Sequence, residues 1–357
     1  MNTEKTTVAV LFGGQSSEYE VSLSSASGVL DNIDTEKFTV LTVGITREGR
    51  FFLYTGDKKN IADDTWHKDA EHLLPLAADP GNKRFTAVKD GRTIAVTPAA
   101  VLPMVHGKHC EDGTLQGLFE LVGVPCVGCD CTSSAVCMDK AFTKAVVKTE
   151  TDIRQAESVT LRAADVNDET IERIREKCEK KLGYPMFVKP ARAGSSVGVS
   201  KVYDSGSFAG AVTKALREDS KILVEEAIKG REIEVAVLEE NGKYTVAHAA
   251  EIDKGGADFY DYETKYISDV SSYYLPARIT DEEMKTVREN ALTIFKTLDC
   301  RGLSRVDFFI TDGGELVFNE INTLPGFTPI SMYPKMMINE GISYKEVITR
   351  LIESALR

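Results

Sequence analysis

The sequence predicts a mixed α/β fold in more than one domain, and three observations carry this prediction. The chain has 357 residues, more than one ordinary hydrophobic core accommodates. Near the N-terminus an apolar run, Thr7–Phe12, leads through Gly13 and Gly14 into a helical pattern, which is how an α/β layer begins. Further along, helical patterns alternate with strand-like runs, which is typical of α+β units.

Composition narrows the class of protein. Hydrophobic residues make up 42% and charged residues 27%, as in ordinary globular proteins. The formal net charge of −12 argues against nucleic-acid binding, which needs a basic face. No apolar run approaches the ~20 residues of a membrane span, and the N-terminal residues lack a signal-peptide core. The odd number of cysteines fits a reducing compartment. We therefore expect a cytoplasmic protein without nucleic-acid or membrane partners.

The turn after the first strand predicts a ligand site. A helix is predicted from Val21 to about Ile33, and turns between a strand and a helix are where α/β layers bind ligands. The turn matches neither a dinucleotide fingerprint nor a phosphate-binding P-loop, and neither motif occurs in the chain. Glu18 would repel a phosphate, so an ammonium group is its more natural ligand.

The rest of the first third contains one further candidate pair. The predicted elements are strands Phe38–Ile45, Phe51–Tyr54 and Ala100–Val105, and a helix Thr114–Val122. His106 and Glu111 lie between the last strand and the helix, in the segment HGKHCEDGT. They can be site residues, or a strand-end cap and a first-turn carboxylate that interacts favourably with the helix dipole. The sequence leaves both interpretations open.

The middle of the chain predicts a phosphate-binding unit. Its predicted elements are a helix that opens near Lys140, helices Asp168–Lys181 and Ser207–Glu218, and strands Met186–Pro190, Val199–Tyr203 and Ile222–Ala227. A turn rich in glycine and serine, residues 194–198, can fold over a triphosphate. Lys140 and Lys189 can contact phosphate oxygens. A flexible hairpin with exposed lysines accounts for the same residues.

The end of the strand at Ala227 is a candidate nucleotide-base site. Glu225 and Glu226 end this strand, and Glu232 follows shortly after it. Backbone groups at a strand end can bind the edge of adenine, and a carboxylate suits ribose hydroxyls. These residues alone do not establish the site.

A loop of unusual composition is predicted to be a lid. Residues 253–274 have neither a helical nor a strand period and hold five of the 12 tyrosines. A long loop with this aromatic content is typically functional, so we predict that it closes over a site and excludes water. The flanking elements are strands Glu234–Leu238 and Tyr244–Ala250, a helix Thr280–Leu298 with a capping box, and a last helix Ser343–Ala355.

The hairpin Arg305–Ser331 has the most specific pattern. Two alternating runs flank a Thr-Asp-Gly-Gly turn. Arg305 and Asp307 therefore share a face of one strand, and Glu320 and Asn322 share a face of the next. Carboxylate and amide oxygens suit Mg²⁺, which takes further oxygens from a substrate phosphate. A solvated face with ion pairs is the alternative.

Seven segments, together and in order, resemble the D-alanine–D-alanine ligases of the ATP-grasp superfamily. They are GGQSSEYEVSL, HGKHCEDGTLQG, MDK, FVKPARAGSSVGVSKV, FYDYETKY, SRVDFF and NEINTLPGFTPIS. The resemblance covers essentially the whole chain, and few other families share several of these motifs. It implies an ATP-grasp fold with three domains, at residues 1–128, 129–227 and 228–357. It also implies D-alanine and ATP as substrates, two Mg²⁺ or Mn²⁺ ions, and a homodimer.

The resemblance also assigns roles to individual residues. The catalytic group consists of Glu18, Ser195, Tyr266, Arg305 and Gly326. The ATP-binding group consists of Lys140, Lys189, Ser196, Glu225, Ala227, Ile228, Glu232 and Lys265. The metal ligands are Asp307, Glu320 and Asn322, and the second-substrate pocket contains Ser331 and Met332. In this pattern Glu18 holds the first ammonium group, Tyr266 is linked to Ser195 and Glu18, and the N–H of Gly326 joins Arg305 at an oxyanion.

The second substrate stays open between two amino acids. Cys110 and Ala193 depart from the usual family pattern, but neither carries the chemistry. Related ligases of vancomycin-resistant bacteria use D-serine or D-lactate, and the N-terminal half of this chain also resembles the D-serine type. Lys265 and Tyr266 resemble the amide-forming members, and Met332 resembles the ordinary ligase. The resemblance therefore favours D-alanine, with D-serine as the alternative. A non-catalytic relative would have lost a metal ligand or a lid residue, and all are present.

Overall fold

The computed structural model describes residues 5–253, 272–328 and 330–357. These residues form three β-sheets that follow one another along the chain, with helices packed against them. The described part of the chain contains no helix that is both long and apolar enough to cross a membrane. The mixed α/β fold class is confirmed, while the domain boundaries at residues 128 and 227 stay a prediction.

The first sheet has a parallel part at one side that positions two of the candidate residues. Its strands are β1 Thr6–Gly13, β2 Phe38–Ile45, β3 Phe51–Tyr54, β4 Leu73–Asp79, β5 Arg84–Lys89, β6 Arg92–Val96 and β7 Ala100–Pro103, in the order β6-β5-β4-β3-β2-β1-β7. Helices α1 Tyr19–Asn32, α2 Lys59–Ala62 and α3 Thr114–Val122 accompany them. Strand β1 is parallel to β2 and β7. The carboxyl ends of β1 and β7 therefore lie side by side, so Glu18 and His106, which follow them, reach the same edge.

Strands β4 to β6 are absent from the predicted elements. Pro75 in β4 argues against a strand that pairs on both sides, yet it lies opposite Phe52 of β3. In β6 the first four residues are exposed, so no alternation marks the strand. These strands form because they pair with neighbouring strands, although the sequence pattern of each segment does not predict a strand.

The second sheet is small and antiparallel. Its strands are β8 Ser158–Arg162, β9 Met186–Pro190, β10 Ser200–Val202 and β11 Lys221–Glu226, in the order β10-β9-β11-β8. Helices α4 Cys131–Met138 and α5 Lys140–Glu150 precede it, and α6 Ile171–Leu182 and α7 Ser205–Glu218 pack on it. The predicted helix start at Lys140 is confirmed, because Asp139 caps the N–H groups of Ala141 and Phe142. Helix α4 was not predicted, since its serines, threonine and cysteines have low helix propensity.

The third sheet contains the predicted hairpin. Its strands are β12 Gly230–Glu240, β13 Lys243–Val246, β14 Ala250–Asp253, β15 Ser272–Tyr274, β16 Leu303–Thr311 and β17 Leu316–Asn322. They follow the order β15-β14-β12-β16-β17, and β13 also pairs with β12. Helices α8 Asp281–Thr297, α9 Met332–Asn339 and α10 Tyr344–Ala355 complete this part. The capping box at Thr280 and the hairpin of β16 and β17 are confirmed.

Two predictions in this region need correction. The single strand predicted from Tyr244 to Ala250 is wrong, because β13 ends at Val246 and β14 begins at Ala250. Between them the N–H and ring of His248 bind the Glu340 carboxylate instead of continuing the ladder. The predicted lid, residues 253–274, lies mostly at 254–271, outside the described residues, and its last three residues form β15.

Candidate active site

A single large cavity brings most of the candidate residues together. Its volume is about 1270 Å³, and it is lined by strand residues of the second and third sheets, by α1 and by loops that follow strands of the first sheet. The lining includes Glu18, His106, Glu111, Lys140, Lys189, Ser195, Ser196, Glu225, Ala227, Ile228, Glu232, Arg305, Glu320, Asn322, Gly326, Ser331 and Met332. Asp307 is buried behind this wall, and Lys265 and Tyr266 lie outside the described residues.

One end of the cavity is built around the Glu18 carboxylate. Glu18 precedes α1 and is only 8% exposed. The Ser195 hydroxyl donates a hydrogen bond to Glu18 Oε1, which ties the second sheet's loop to the first sheet. A Cβ atom added to Gly107 or Gly194 would lie 2.4 or 2.8 Å from Glu18 Oε2. Only glycine therefore allows both segments to enclose this carboxylate so closely.

His106 lies beside this carboxylate in the cavity wall. It is 3% exposed, and its Nδ1 is 3.6 Å from Glu111 Oε1 and 3.1 Å from the carbonyl oxygen of Leu324. Burial lowers the pKa of His106, but the hydrogen bond and charge of Glu111, with the charge of Glu18, outweigh it and raise the pKa. His106 and Glu111 therefore lie next to each other in the cavity lining, and their roles stay a prediction.

The turn between β9 and β10 is held in an unusual backbone conformation. Ser195 and Ser196 have φ values of 48° and 59°, in the left-handed region that non-glycine residues rarely adopt. Such a residue costs of order 1–3 kcal/mol and persists where surrounding contacts impose it, often at functional sites. Arg192 supplies such contacts at the base of the turn. Its N–H and Nε lie 2.9 and 3.1 Å from Asp219 Oδ2, and its Nη2 lies 2.5 Å from Oδ1.

Two predicted lysines point into the cavity from different elements. Lys140 Nζ donates to the carbonyl oxygen of Ala193 at 3.0 Å and lies 3.4 Å from Glu320 Oε2. Lys189 Nζ lies 2.5 Å from Glu225 Oε2. The alternative of a flexible hairpin with exposed lysines is wrong for Lys189, which is 9% exposed.

Lys144 lies next to Glu225, behind the residues that line the cavity, and sequence reasoning missed it. Its Nζ lies 3.1 Å from Glu225 Oε1, so Glu225 sits between two ammonium groups. Burial lowers the pKa of Lys144 despite the Glu225 charge. Burial raises the pKa of Glu225, but Lys189 and Lys144 outweigh this and lower it. The spacing could have found Lys144, because it follows Lys140 by four residues and shares its helix face.

The hairpin face carries a guanidinium–carboxylate pair. Arg305 Nε and Nη2 lie 2.8 and 2.7 Å from the two oxygens of Asp307, and Nη2 is 3.3 Å from Glu234 Oε1. Asn322 Nδ2 donates to Asp307 Oδ2 at 3.1 Å. Asp307 and Glu320 are cross-strand partners, and a bulge follows them. The predicted convergence of these four side chains on one face is therefore observed.

The donor chemistry of this face suits a hard divalent cation. Burial raises the pKa of Asp307, the guanidinium of Arg305 opposes this, and the charges of Glu320 and Glu232 add to the rise. A bound cation would reduce the repulsion between the Asp307 carboxylate and these neighbouring carboxylates. The described residues contain no group of three or more His, Cys, Asp or Glu side chains that could hold a metal. The predicted ligands instead comprise two carboxylates and the Asn322 amide, which are the oxygen donors that Mg²⁺ prefers.

The segment after the hairpin also lines the cavity. A Cβ atom on Gly326 would lie 2.9 Å from Ser331 Oγ. Ser331 Oγ accepts the Thr328 N–H at 3.0 Å and lies 2.8 Å from its hydroxyl. Ser331 is the N-cap residue of α9 and Met332 its first residue. The helix itself was not predicted, although it sets the direction of both side chains.

The fold and the site together define an ATP-grasp ligase. The VanG D-Ala:D-Ser ligase from Enterococcus faecalis matches with a TM-score of 0.89 and 42% identity, over 99% of this chain and 100% of that one. The D-alanine–D-alanine ligase from Coxiella burnetii matches with a TM-score of 0.84 and 33% identity, over 99% and 94% of the two chains. The ATP-grasp prediction is confirmed.

Family models identify the relationship more narrowly. The model described as "D-ala D-ala ligase N-terminus" matches residues 7–129, and "D-ala D-ala ligase C-terminus" matches residues 147–353. The D-alanine–D-alanine ligase of Clostridium novyi is 45% identical over 99% of this chain and 98% of its own length. That of Clostridium acetobutylicum is 44% identical, over 98% of each. The chain belongs to the D-alanine–D-alanine ligase family.

Proposed function

We propose that this protein joins two D-alanine molecules into D-alanyl-D-alanine, with ATP converted to ADP and phosphate, for peptidoglycan precursor synthesis. The observation that carries the proposal is one cavity with three different chemical regions. The cavity brings together a buried carboxylate, lysines beside a constrained turn, and the guanidinium–carboxylate face of the hairpin. These regions suit an ammonium group, a triphosphate and a reacting acyl group.

Binding of the first D-alanine would depend on Glu18. Its carboxylate is enclosed by Gly107 and Gly194, so an ammonium group there would form a charge-assisted hydrogen bond in a partly dry site. The carboxylate of the same amino acid would then face Arg305. Charge alone thus orients the molecule, because the two ends carry opposite signs.

Binding of ATP would use the second sheet and the end of β11. Lys140, Lys189 and the turn at 194–198 would hold the phosphates, with Ser196 in that turn. Glu225, Ala227, Ile228 and Glu232 would surround adenine and ribose. In the first step an oxygen of the D-alanine carboxylate attacks the γ-phosphorus, the bond to the β–γ bridging oxygen breaks, and ADP leaves. The product is an acyl phosphate.

Asp307, Glu320 and Asn322 would hold two divalent ions, either Mg²⁺ or Mn²⁺. When bound, such ions neutralise phosphate charge during phosphoryl transfer. The protein's own contribution here is Arg305, whose guanidinium is held in place by both oxygens of Asp307. A fixed guanidinium stabilises developing negative charge without reorganisation.

The second step would form the peptide bond. The amine nitrogen of the second amino acid attacks the acyl carbon, and the carbon–oxygen bond to phosphate breaks. Before the attack the ammonium group of this amino acid loses one proton to water, and as the peptide bond forms the nitrogen loses a second proton to the leaving phosphate. The tetrahedral oxyanion would lie between Arg305 and the N–H of Gly326. Because an acyl phosphate hydrolyses in water, the proposed lid with Lys265 and Tyr266 would exclude solvent, with Tyr266 linked to Ser195 and Glu18.

The second amino acid is proposed to be D-alanine. The pocket at Ser331 includes the side chains of Ile330 and Met332, and the Ser331 hydroxyl already bonds to Thr328. Apolar side chains such as these favour a methyl group over a hydroxymethyl group only moderately. D-Serine is therefore the second candidate, and the VanG D-Ala:D-Ser ligase, at 42% identity, supports keeping it. We further propose three domains with the predicted boundaries and a cytoplasmic location. We also propose that the protein is a homodimer, which light scattering would test.

The test is ATP turnover with defined amino acids. Phosphate release is measured with D-alanine alone and then with D-serine or D-lactate added, and the products are weighed by mass spectrometry. We expect D-alanyl-D-alanine and one phosphate for each dipeptide. Absence of ATP turnover with every D-amino acid would contradict the ligase proposal. If the protein forms the mixed dipeptide with D-serine in preference to D-alanyl-D-alanine, the second substrate is D-serine and not D-alanine.

A further inference from the structure

The segment that carries Gly326 is held from both sides by two side chains of the first sheet's layer. His106 Nδ1 lies 3.1 Å from the carbonyl oxygen of Leu324, on the N-terminal side of Gly326. The Phe327 N–H, on its C-terminal side, donates to Ser25 Oγ at 3.3 Å. Ser25 Oγ also lies 2.9 Å from His106 Nε2. The two side chains therefore form one continuous connection across the segment.

Ser25 has no other evident reason to be polar. It lies on α1 and is fully buried among core residues, where a serine costs stability unless it is hydrogen-bonded. A hydroxyl group can donate one hydrogen bond and accept others. It can therefore accept from Phe327 while bonding to either the neutral or the protonated form of His106. The connection persists through the titration of the histidine.

Phe327 is also fixed by further contacts, so the whole segment is restrained. Its carbonyl oxygen accepts a hydrogen bond from the Tyr344 hydroxyl. Its ring packs against those of Tyr333 and Tyr344, with centroids 5.7 and 5.3 Å apart. Ser25 connects this restrained segment by a hydrogen bond to α1, the helix that follows Glu18.

We propose that Ser25 is a positioning residue for peptide-bond formation, which acts with His106 to hold the Gly326 N–H toward the reacting acyl group. This inference rests on the proposed function above, because it assigns Gly326 to the oxyanion. Helix α1 then orients two parts of the reaction at once. It presents Glu18 to the first amino acid, and through Ser25 it fixes the donor that the second step requires. A displaced donor slows that step and leaves the acyl phosphate exposed to water for longer.

The test compares Ser25→Ala with the wild-type protein by measuring phosphate and dipeptide together. Oxyanion donors are worth about 10²–10³ in kcat, and a displaced donor should cost about tenfold. We expect dipeptide kcat to fall by about that factor while the KM for ATP changes less than about twofold. The ratio of phosphate to dipeptide should rise above its wild-type value, because stranded acyl phosphate hydrolyses. A merely structural role would not change this ratio.

Two further variants complete the design. Ser27→Ala is the matched control, since Ser27 lies on the same helix and its hydroxyl donates to the Leu23 carbonyl oxygen, away from the segment. Ser25→Thr keeps the hydroxyl and should restore the ratio. If Ser25→Ala does not fold, Ser25→Cys keeps a weak acceptor of similar size and should show the raised ratio.

The outcomes separate the two proposals. A folded Ser25→Ala or Ser25→Cys protein with the wild-type ratio and kcat would overturn the role of Ser25. The role of Ser25 would also be overturned if kcat fell only in proportion to the folded fraction of the protein while the ratio of phosphate to dipeptide stayed unchanged. A wild-type protein that makes no dipeptide would instead overturn the proposed function.

Discussion

Lys189 and Glu225 form a buried ion pair across neighbouring strands, with Nζ 2.5 Å from Oε2. Lys189 lies opposite Leu223 in the β9–β11 register, so Glu225 is its diagonal neighbour. Lys144 approaches the other oxygen of the same carboxylate at 3.1 Å. One carboxylate thus compensates two ammonium groups that would otherwise repel each other at the proposed nucleotide site.

Replacing Glu225 by glutamine should destabilise the protein strongly. The variant leaves two buried ammonium groups without a counter-charge, and removing one partner of a buried pair typically costs about 3–5 kcal/mol. The control is Glu353→Gln, which breaks an exposed pair with Lys37 and should cost less than about 1 kcal/mol. The measurement is the free energy of unfolding in urea at pH 7. If both substitutions lowered the free energy of unfolding equally, burial would not be the reason that the Glu225 carboxylate stabilises the protein.

The same pair predicts a dependence of stability on pH. Because the pKa of Glu225 is lowered in the folded protein, its stabilisation is present above the ordinary pKa of 4.5 and is lost as pH falls through the folded value. The difference in unfolding free energy between wild type and Glu225→Gln should therefore shrink below pH 4.5. A constant difference down to the acid unfolding limit would exclude the carboxylate charge as its cause.

His106 should show the opposite dependence. Its pKa is raised above 6.5 by Glu111 and Glu18 against the effect of burial. Its stabilising charge is fully present below pH 6.5 and is lost as pH rises through the folded value. The unfolding free energy lost in His106→Gln should thus be larger at pH 6 than at pH 9. Glu111→Gln, measured in parallel, should flatten the wild-type dependence, and a steeper loss at pH 9 would refute the pairing.

Adding a methyl group beside Glu18 should impair binding of the first amino acid. The Cβ of Gly107→Ala would lie 2.4 Å from Glu18 Oε2, on a backbone with φ of +75°. We expect the KM for the first D-alanine to rise by about tenfold or more, as for a misplaced charge-assisted contact. Gly210→Ala is the control, because its Cβ meets nothing within 4 Å on helix α7. It should leave KM unchanged and stabilise the helix by about 0.5–1 kcal/mol.

Turnover should depend on a divalent cation bound near the hairpin. Chelation should abolish ATP turnover, and added Mg²⁺ or Mn²⁺ should restore it. Glu320→Gln should lower kcat by about 10²-fold or more, because charge stabilisation is lost, with little effect on folding. Glu315→Gln is the control, since this carboxylate lies exposed at the turn of the same hairpin and pairs with Arg154. Unchanged turnover in Glu320→Gln would remove that residue from the proposed metal site.

The sequence alone predicted the local framework of the site well. Strand alternation placed Arg305, Asp307, Glu320 and Asn322 on one face, and the side-chain contacts agree. The N-terminal turn predicted Glu18 at a ligand site, and Glu18 lines the cavity, because a strand, a glycine turn and a helix have few ways to connect. Charge then favoured an ammonium group there, an argument that needed no coordinates. Motifs in order along the chain were sufficient to identify the family.

Tertiary structure decided what local pattern could not encode. The burial of Glu225 between Lys144 and Lys189 depends on which strands pair and on where α5 packs, so its energetics were invisible in the sequence. Strands β4 to β6 formed through pairing rather than periodicity. The contact of Ser25 with Phe327 spans 302 positions along the chain. A serine in an apolar helix pattern carries no sign of such a partner, because its hydrogen bond is created only when α1 and the segment around Gly326 come together.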